Sequence, residues 1–322
     1  MHCLVTGGSG YIGRALLPAL AAQGYRLSAQ CHRGSVSVFD AMDGQVAGPQ
    51  SPKAQVHTLR CDFSAGRAEL GLDGVDVVFH LAGVAHQQAA ADVYQRVNVD
   101  ASLALAEKAL AAGVKRFVFV SSVKAGNAEK DQNDDLVPVA NPYAQSKALA
   151  EEGLRSRCRD SSLELIIVRP ALVYGDQALG HLRWLRRWAQ LHMPAPPAGG
   201  ERSMIALDDL VRLLTLLAAH SSPSSSPSPS LLIATDNHSY STRRLHAAFC
   251  AAMGRTPWIP SPPPPVWRGL CRVLDSLRGE TPGRTWARLT GEERYRPTGL
   301  ASLGFEPILS FEHSLGLSSH AQ

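Results

Sequence analysis

The chain has 322 residues, of which 45% are hydrophobic and 19% charged, an ordinary globular composition that argues against a fibrous or wholly disordered protein. Its formal net charge of +4 is too small and diffuse to predict nucleic-acid binding by itself. The six cysteines are scattered without a CxxC pair or zinc-finger spacing, which predicts free thiols in a reducing cytoplasm and no metal site. Because no signal peptide and no apolar run of about 20 residues is visible, we expect a cytoplasmic protein without an integral membrane span.

Short apolar runs alternate with amphipathic stretches through the first half of the chain. The runs at 75–79 and 117–120 are nearly all apolar, as expected for strands buried on both faces of a parallel sheet. This alternation predicts an α/β protein with a Rossmann-type doubly wound parallel sheet. The predicted strands are His2–Val5, Arg26–Gln30, Gln55–Leu59, Val75–Leu81, Arg116–Ser121 and Leu163–Val168, and the predicted helices are Tyr11–Gln23, Ala101–Ala112 and Tyr143–Cys158.

The composition changes after residue 170, where Gly, Pro, Trp and Arg become more frequent. The run SSPSSSPSPS at 221–230 predicts a flexible surface linker. A helix at Gly180–His192 would place three arginines on one face and two tryptophans on another, which favours a solvated basic face over nucleic-acid binding. The other elements predicted beyond residue 170 are a strand at Leu231–Ala234 and helices at Thr242–Met253 and Val266–Leu277.

A glycine-rich turn, TGGSGYIG at 6–13, lies between the first predicted strand and the first predicted helix. Gly7, Gly10 and Gly13 allow a tight turn and a close backbone approach to a pyrophosphate, and the following helix N-terminus offers free N–H groups. No GK[ST] sequence follows, so a phosphate loop of the kinase type is excluded. A glycine-rich turn alone is weak evidence, but this strand–turn–helix context predicts dinucleotide binding.

The end of the second predicted strand indicates the cofactor type. An NAD site commonly has an acidic residue there for the ribose 2′-hydroxyl, whereas an arginine suits a 2′-phosphate. No Asp or Glu occurs between Met1 and Phe39, and Arg33 follows the strand. The sequence therefore predicts NADP(H) as the preferred cofactor with NAD(H) possible, the alternative being that Arg33 is a solvated loop residue.

Tyr143 and Lys147 are four residues apart on a predicted helix, so they project from the same face. A phenol titrates near pH ~10, and a neighbouring ammonium is expected to lower that pKa. The pair is thus a candidate proton donor and acceptor. The alternative is an ordinary solvated helix face, because a YxxxK spacing is common by chance.

Ser121 and Ser122 stand where the predicted strand from Arg116 ends, at the sheet edge where ligands bind in doubly wound folds. Together with the glycine motif and the Tyr143/Lys147 pair, they make the chain resemble the extended short-chain dehydrogenase/reductase family, and within it the nucleotide-sugar epimerase/dehydratase/reductase group. The resemblance spans about Cys3 to Phe311, and its further matches are Cys61-Asp62-Phe63, His80-Leu81-Ala82-Gly83, Val97-Asn98-Val99, Val168-Arg169-Pro170, Val173-Tyr174-Gly175 and Arg202 to Leu210.

The resemblance implies a role for each matching residue. Tyr143 would be the general acid/base, Lys147 would hold the nicotinamide ribose and tune Tyr143, and Ser122 would hydrogen-bond the reacting sugar oxygen. Ala206 stands where the family usually has a histidine, and 123–126 is one residue shorter than usual. The other implied contacts are the pyrophosphate with Gly7, Gly10, Tyr11, Ile12 and Gly13, the adenine with Asp62 and Phe63, the ribose with Ala82 and Gly83, the substrate diphosphate with Arg202, and the substrate with His86 unless this is an ordinary loop histidine.

A narrower resemblance implies a bacterial polysaccharide-precursor enzyme acting on UDP-N-acetylhexosamine derivatives. Because no acidic residue ends the second strand, we expect NADPH-dependent reduction of a UDP-4-keto-6-deoxy-N-acetylhexosamine. One alternative is a 4-epimerase with bound NAD, acting on a UDP-sugar or a lipid-linked sugar. A second is a non-catalytic NADP-binding regulator.

The family resemblance also implies a domain arrangement. The cofactor domain would cover residues 1–170 with a returning segment near 203–236, and a smaller C-terminal substrate-binding region would cover 171–202 and 237–322. A homodimer would form through the helices Ala101–Ala112 and Tyr143–Cys158.

Overall fold

The computed structural model describes residues 1–32, 56–85, 89–126, 142–175, 181–220, 230–255 and 261–317. Its strands are β1 (His2–Thr6), β2 (Arg26–Cys31), β3 (Val56–Arg60), β4 (Val77–His80), β5 (Arg116–Val120), β6 (Glu164–Pro170), β7 (Leu172–Tyr174), β8 (Arg202–Ala206), β9 (Leu231–Ala234) and β10 (Ser239–Tyr240). Its helices are α1 (Tyr11–Ala22), α2 (Ala91–Tyr94), α3 (Ala101–Ala111), α4 (Pro142–Cys158), α5 (His181–Gln190), α6 (Leu207–Ala219), α7 (Thr242–Ala252), α8 (Pro264–Leu277), α9 (Arg284–Thr290) and α10 (Phe311–Ser314).

The first of two compact units contains Met1–Pro170, Leu210–Ala234 and Thr298–Phe305. Seven strands of the described chain form its sheet in the order β3-β2-β1-β4-β5-β6-β9, and every neighbouring pair is parallel. The strand order reverses between β1 and β4, which defines the switch point where such folds bind ligands. The predicted doubly wound Rossmann-type sheet is confirmed.

Helices and strands of the first unit meet around one apolar core. Helices α3 and α4 approach closely because Gly153 has no side chain: a Cβ there would lie 2.7 Å from a methyl group of Leu103. The buried Arg116 guanidinium donates to the backbone carbonyls of Leu217, Ala218 and His220. It therefore satisfies carbonyls that the end of α6 leaves without helical partners.

The second unit contains Ala171–Asp209, Thr235–Pro297 and Glu306–Gln322. Among the described residues, β10, β8 and β7 form its small sheet. Because β8 pairs with β7 and β10 rather than with the large sheet, the segment returning to the first unit begins at Leu210, later than the residue 203 that the sequence suggested. The linker predicted at 221–230 lies outside the described residues except for Ser230.

All six cysteines are buried and free, in agreement with the predicted thiols. Within the described ranges, no group of His, Cys, Asp and Glu side chains has the arrangement of a metal site. None of the described helices combines the length and the hydropathy that a bilayer crossing requires.

Candidate functional site

The glycine-rich turn closes tightly between β1 and α1. Gly7 has φ +67, and a Cβ there would lie 2.9 Å from the backbone nitrogen of Ala82. A Cβ on Gly13 would lie 2.4 Å from the Gly7 carbonyl oxygen, to which the Gly10 N–H donates at 2.9 Å. The glycines therefore leave the backbone of the turn without covering side chains beside the N-terminus of α1. This arrangement suits the binding of a dinucleotide pyrophosphate.

Gln30 anchors this turn, a role that the sequence analysis missed. The buried Gln30 side chain accepts a hydrogen bond from the Gly7 N–H at 3.0 Å and donates to the Cys61 carbonyl at 2.6 Å. A glutamine at the end of β2 thus ties the turn after β1 to the end of β3. The available signal for this role was the position of Gln30 directly before Cys31. An acidic residue is expected near this strand end in an NAD site.

Asp62 lies beside the end of β2. Its carboxylate accepts from the Ser64 N–H at 2.8 Å and lies 3.1 Å from the His32 Nδ1 atom. Phe63 is 4% exposed and packs edge-on against His80, and its expected place beside an adenine ring stays a prediction. Arg33 lies outside the described residues, so the NADP(H) argument that it carries stays a prediction.

A buried chain of hydrogen bonds joins β1, β4 and α3. The Ala82 N–H donates to Thr6 Oγ1 at 3.2 Å, and Thr6 Oγ1 lies 2.7 Å from His80 Nδ1. Ser102 Oγ donates its proton to the Asn98 carbonyl, so His80 Nε2 must be the donor in its 2.8 Å hydrogen bond to Ser102 Oγ. In a neutral ring Nδ1 then accepts, and Thr6 Oγ1 is the donor to it. Burial lowers the pKa of His80 to about 3, with a further contribution from Lys147, so the ring is neutral and orients the ends of both strands.

Asn98 lies in a π-helical turn, Gln95–Asp100, between α2 and α3. Its side chain accepts from the Val84 N–H at 2.8 Å and donates to the Val84 carbonyl at 3.1 Å and to Ser146 Oγ at 2.9 Å. Ser146 Oγ donates in turn to the Tyr143 carbonyl at 2.8 Å. Asn98 therefore fixes the loop after β4 relative to the first turn of α4.

The structure brings the side chains of Ser122 and Tyr143 together. The Ser122 side chain accepts from the Lys124 N–H at 3.2 Å and shares a hydrogen bond with the Tyr143 hydroxyl. Burial raises the pKa of Tyr143, while the bond from Ser122 opposes this rise and the nearby Tyr94 adds to it. The predicted lowering of this pKa by Lys147 is therefore wrong for this structure, since burial dominates.

Lys147 is buried, with 4% of its surface exposed. Its ammonium donates to the Val120 carbonyl at 3.1 Å and lies 4.7 Å from the centre of the Phe119 ring. Burial lowers the pKa of Lys147 to about 8, against a smaller opposing effect of Glu151. Gly83 lies beside it, because a Cβ on Gly83 would be 3.3 Å from Lys147 Nζ.

Ser121 has a different partner from Ser122. Its hydroxyl donates at 2.6 Å to Glu151, whose buried carboxylate also accepts two hydrogen bonds from Arg169 at 2.8 and 2.6 Å. Arg155 adds a bond at 3.1 Å. The sequence analysis missed this group, although the spacing of Tyr143, Lys147 and Glu151 at i, i+4 and i+8 would have placed Glu151 on the same face of α4.

Arg202 and His86 are the two residues that the resemblance implies as further substrate contacts. Arg202 is a buried residue of the second unit, where its guanidinium donates to the carbonyls of Gly200 at 3.3 Å and Arg288 at 3.0 Å. Burial lowers its pKa, against an opposing effect of Glu293. His86 lies outside the described residues.

The carboxyl edge of the large sheet thus combines a bare glycine turn, a protonated phenol hydrogen-bonded to a serine, and a buried ammonium. A phenol and a serine hydroxyl in contact can exchange a proton with a carbinol or carbonyl oxygen placed against both. The lysine ammonium offers further donors for a polar ligand.

Comparison with known proteins places the chain among enzymes. Residues 3–229 match the model of the NAD dependent epimerase/dehydratase family. A UDP-glucose 4-epimerase of Vibrio cholerae is 27% identical over 82% of this chain and 79% of its own length. A 2-alkyl-3-oxoalkanoate reductase of Stenotrophomonas maltophilia is 30% identical over 56% of this chain, which spans about half of that relative's length.

Solved structures share the fold. The UDP-glucose 4-epimerase of Thermotoga maritima, determined with UDP-glucose, superposes with a TM-score of 0.70 at 20% identity, over 99% of this chain and 97% of its own. At this identity the likeness bears on the fold alone, and it agrees with the sheet order described above.

Proposed function

Because the chain belongs to the NAD dependent epimerase/dehydratase family, we propose that it reduces the 4-keto group of a UDP-4-keto-6-deoxy-N-acetylhexosamine with NADPH. Family membership makes the chain an NAD(P)-dependent enzyme of the nucleotide-sugar epimerase/dehydratase type. The choice of reduction, of this sugar and of NADPH is our proposal. The observation that carries it is the hydrogen-bonded pair of Ser122 and Tyr143, whose phenol is held in its protonated form.

Tyr143 supplies the proton in this mechanism. Because burial raises its pKa, the phenol keeps its proton at neutral pH and can donate it to O4 as that oxygen gains negative charge. Ser122 donates to or accepts from the same oxygen and so orients the C4–O4 bond. Solvent then restores the proton to Tyr143 before the next turnover.

The cofactor would bind along the glycine turn. Gly7, Gly10, Tyr11, Ile12 and Gly13 would hold its pyrophosphate, while Asp62, Ala82, Gly83 and Lys147 would contact the adenosine and ribose portions. A nicotinamide bound there supplies the hydride that C4 requires. Arg33 would bind the 2′-phosphate of NADPH, and Arg202 and His86 would contact the substrate.

A 4-epimerase is the second candidate. It is favoured by the similarity to the Vibrio cholerae UDP-glucose 4-epimerase, because the matched region covers 79% of that relative's length. The same Tyr143 would take a proton from O4 and return it after the sugar has turned. Such an enzyme would keep its cofactor and would accept a UDP-sugar or a lipid-linked sugar. We also propose a homodimer through α3 and α4, since Leu149 of α4 is 41% exposed.

A substrate panel tests these candidates. Purified protein is given NADPH or NADH with UDP-4-keto-6-deoxy-N-acetylhexosamines, and separately UDP-hexoses without added cofactor, and products are followed by NMR. The reductase proposal expects one NADPH oxidised for each keto sugar reduced. Inversion at C4 without net oxidation would establish the epimerase instead, and cofactor binding without any turnover would favour the regulator and contradict both.

Matched variants test the residue roles. Tyr143→Phe is expected to lower kcat by about 10²–10⁴-fold, the usual contribution of a general acid, with little change in cofactor affinity. Ser122→Ala should also lower kcat, whereas Ser121→Ala should leave it near the wild-type value because Ser121 bonds Glu151. A Tyr143→Phe enzyme with most of its activity would overturn the proton-donor role.

A further inference from the structure

Helix α8 leaves one row of apolar side chains uncovered. Val266, Leu270, Val273 and Leu277 are 48%, 48%, 59% and 80% exposed. Their spacing of four, three and four residues puts them on one face of the helix. The core-facing side of α8 is occupied by other residues, including the buried Trp267, so the exposed row is not the face that holds the helix to its unit.

Two further exposed apolar side chains belong to the same unit. Leu191 and Met193, which follow α5, are 63% and 39% exposed. Trp188 connects them to α8, because its indole N–H donates to the Pro194 carbonyl at 2.8 Å and its ring lies 5.8 Å from that of Trp267. We call these six exposed side chains the α8 surface: Val266, Leu270, Val273, Leu277, Leu191 and Met193.

Arginines flank the residues of the α8 surface along the chain. Arg187 lies one helical turn before Leu191, and Arg278 directly follows Leu277. Within the described part of the chain, neither these two nor Arg183 makes an ion pair or a side-chain hydrogen bond. The nearby acidic groups are already engaged: Asp275 accepts from Gly283 and Thr285, and Glu280 pairs with Arg284 and Arg288.

We propose that the α8 surface docks this protein on an anionic lipid bilayer. Apolar side chains on one helix face insert at the boundary of headgroups and acyl chains, and bordering arginines bind lipid phosphates. A second copy of the chain fits less well, because an isologous contact would bring the same arginines together. The proposal does not depend on which reaction the first unit catalyses.

The direct test is sedimentation of the full-length protein with lipid vesicles. We expect it to sediment with vesicles of phosphatidylcholine and phosphatidylglycerol, to bind phosphatidylcholine alone much less, and to be released by added salt. The double variant Leu270→Glu/Leu277→Glu should lower the bound fraction about tenfold or more, because two charges oppose insertion. The double variant Arg187→Glu/Arg278→Glu should remove the preference for anionic lipid.

The matched control is Ile308→Glu, which places a charge on a side chain that is 65% exposed but outside the α8 surface; it should bind vesicles as the wild type does. Circular dichroism and cofactor binding verify that each variant is folded. Failure of the wild type to bind anionic vesicles would overturn the proposal, as would equal binding by the Leu270→Glu/Leu277→Glu variant. A lipid-free dimer in light scattering that this variant dissociates would assign the surface to a second copy instead.

Discussion

The middle of α4 and its first turns each bury a charged side chain, but they surround it differently. In the middle, the Glu151 carboxylate is 1% exposed and receives hydrogen bonds from Arg169, Arg155 and Ser121. In the first turns, Lys147 is equally buried, yet among the described residues its ammonium donates one hydrogen bond, to Val120, and contacts the face of Phe119.

We propose that this difference separates a structural charge, Glu151, from a functional one, Lys147. A buried charge with complete partners holds its surroundings together, and removing a partner is costly. Burial with few partners destabilises the charged form of an amine relative to its neutral form. The lowered pKa of Lys147 reflects this effect. We therefore expect the Lys147 ammonium to have donors left for a cofactor ribose.

The largest expected effect on stability comes from removing the charge of Glu151. Glu151→Gln leaves the Arg169 guanidinium buried without a counter-charge, so the free energy of unfolding should fall by about 3–5 kcal/mol. Urea denaturation followed by circular dichroism measures this change. The control is Glu107→Gln, which removes the carboxylate from an exposed ion pair with Arg157 and should cost less than about 1 kcal/mol. Equal stability of the two variants would contradict the distinction between the regions.

A smaller effect is expected at Lys147. Its folded pKa of about 8 lies below the ordinary 10.5, so the folded state binds fewer protons between these values and the free energy of unfolding rises with pH across that window. Lys147→Met removes the buried ammonium and should leave stability near neutral pH unchanged or higher. It should also weaken cofactor binding by about 10–100-fold, the range for losing a hydrogen bond to a charged group.

The pH dependence of cofactor affinity checks that assignment. Wild-type affinity should fall as the pH rises above about 8, because the Lys147 ammonium loses its proton there. The affinity of Lys147→Met should be low at every pH and should lack this step. A step that persists in the variant would assign the titration to another group.

The sequence predicted a candidate site where a motif coincides with a sheet edge, and the structure places Ser122, Tyr143 and Lys147 near one another there. The strand before Ser122 and the helical spacing of Tyr143 and Lys147 sufficed, because the carboxyl ends of parallel strands meet at one edge. The fold followed from the same alternation of strands and helices. Strand and helix ends differed by only a few residues, as for β6, which extends to Pro170.

The other features of the candidate site could not be predicted, because they depend on burial and on contacts between residues distant in the sequence. The direction of the Tyr143 pKa follows from how much of the phenol the fold covers, and this is invisible in a YxxxK spacing. Arg169 is in a matched motif, but its partner Glu151 is 18 residues away on another element. The burial of Phe63 in the core of the first unit was likewise not visible in its motif.

Calorimetric titration of the wild-type protein with NADPH, NADH, NADP⁺ and NAD⁺ tests the central claim most directly, after any cofactor retained through purification has been identified. We predict that a nicotinamide dinucleotide binds in a 1:1 complex, with NADPH preferred and exchangeable, and that Tyr143→Phe binds it as tightly as the wild type. Tightly retained NAD⁺ would remove the support for Arg33 and favour the epimerase. Folded protein that binds none of the four would contradict the assignment of the sheet edge as a dinucleotide-dependent proton-transfer site.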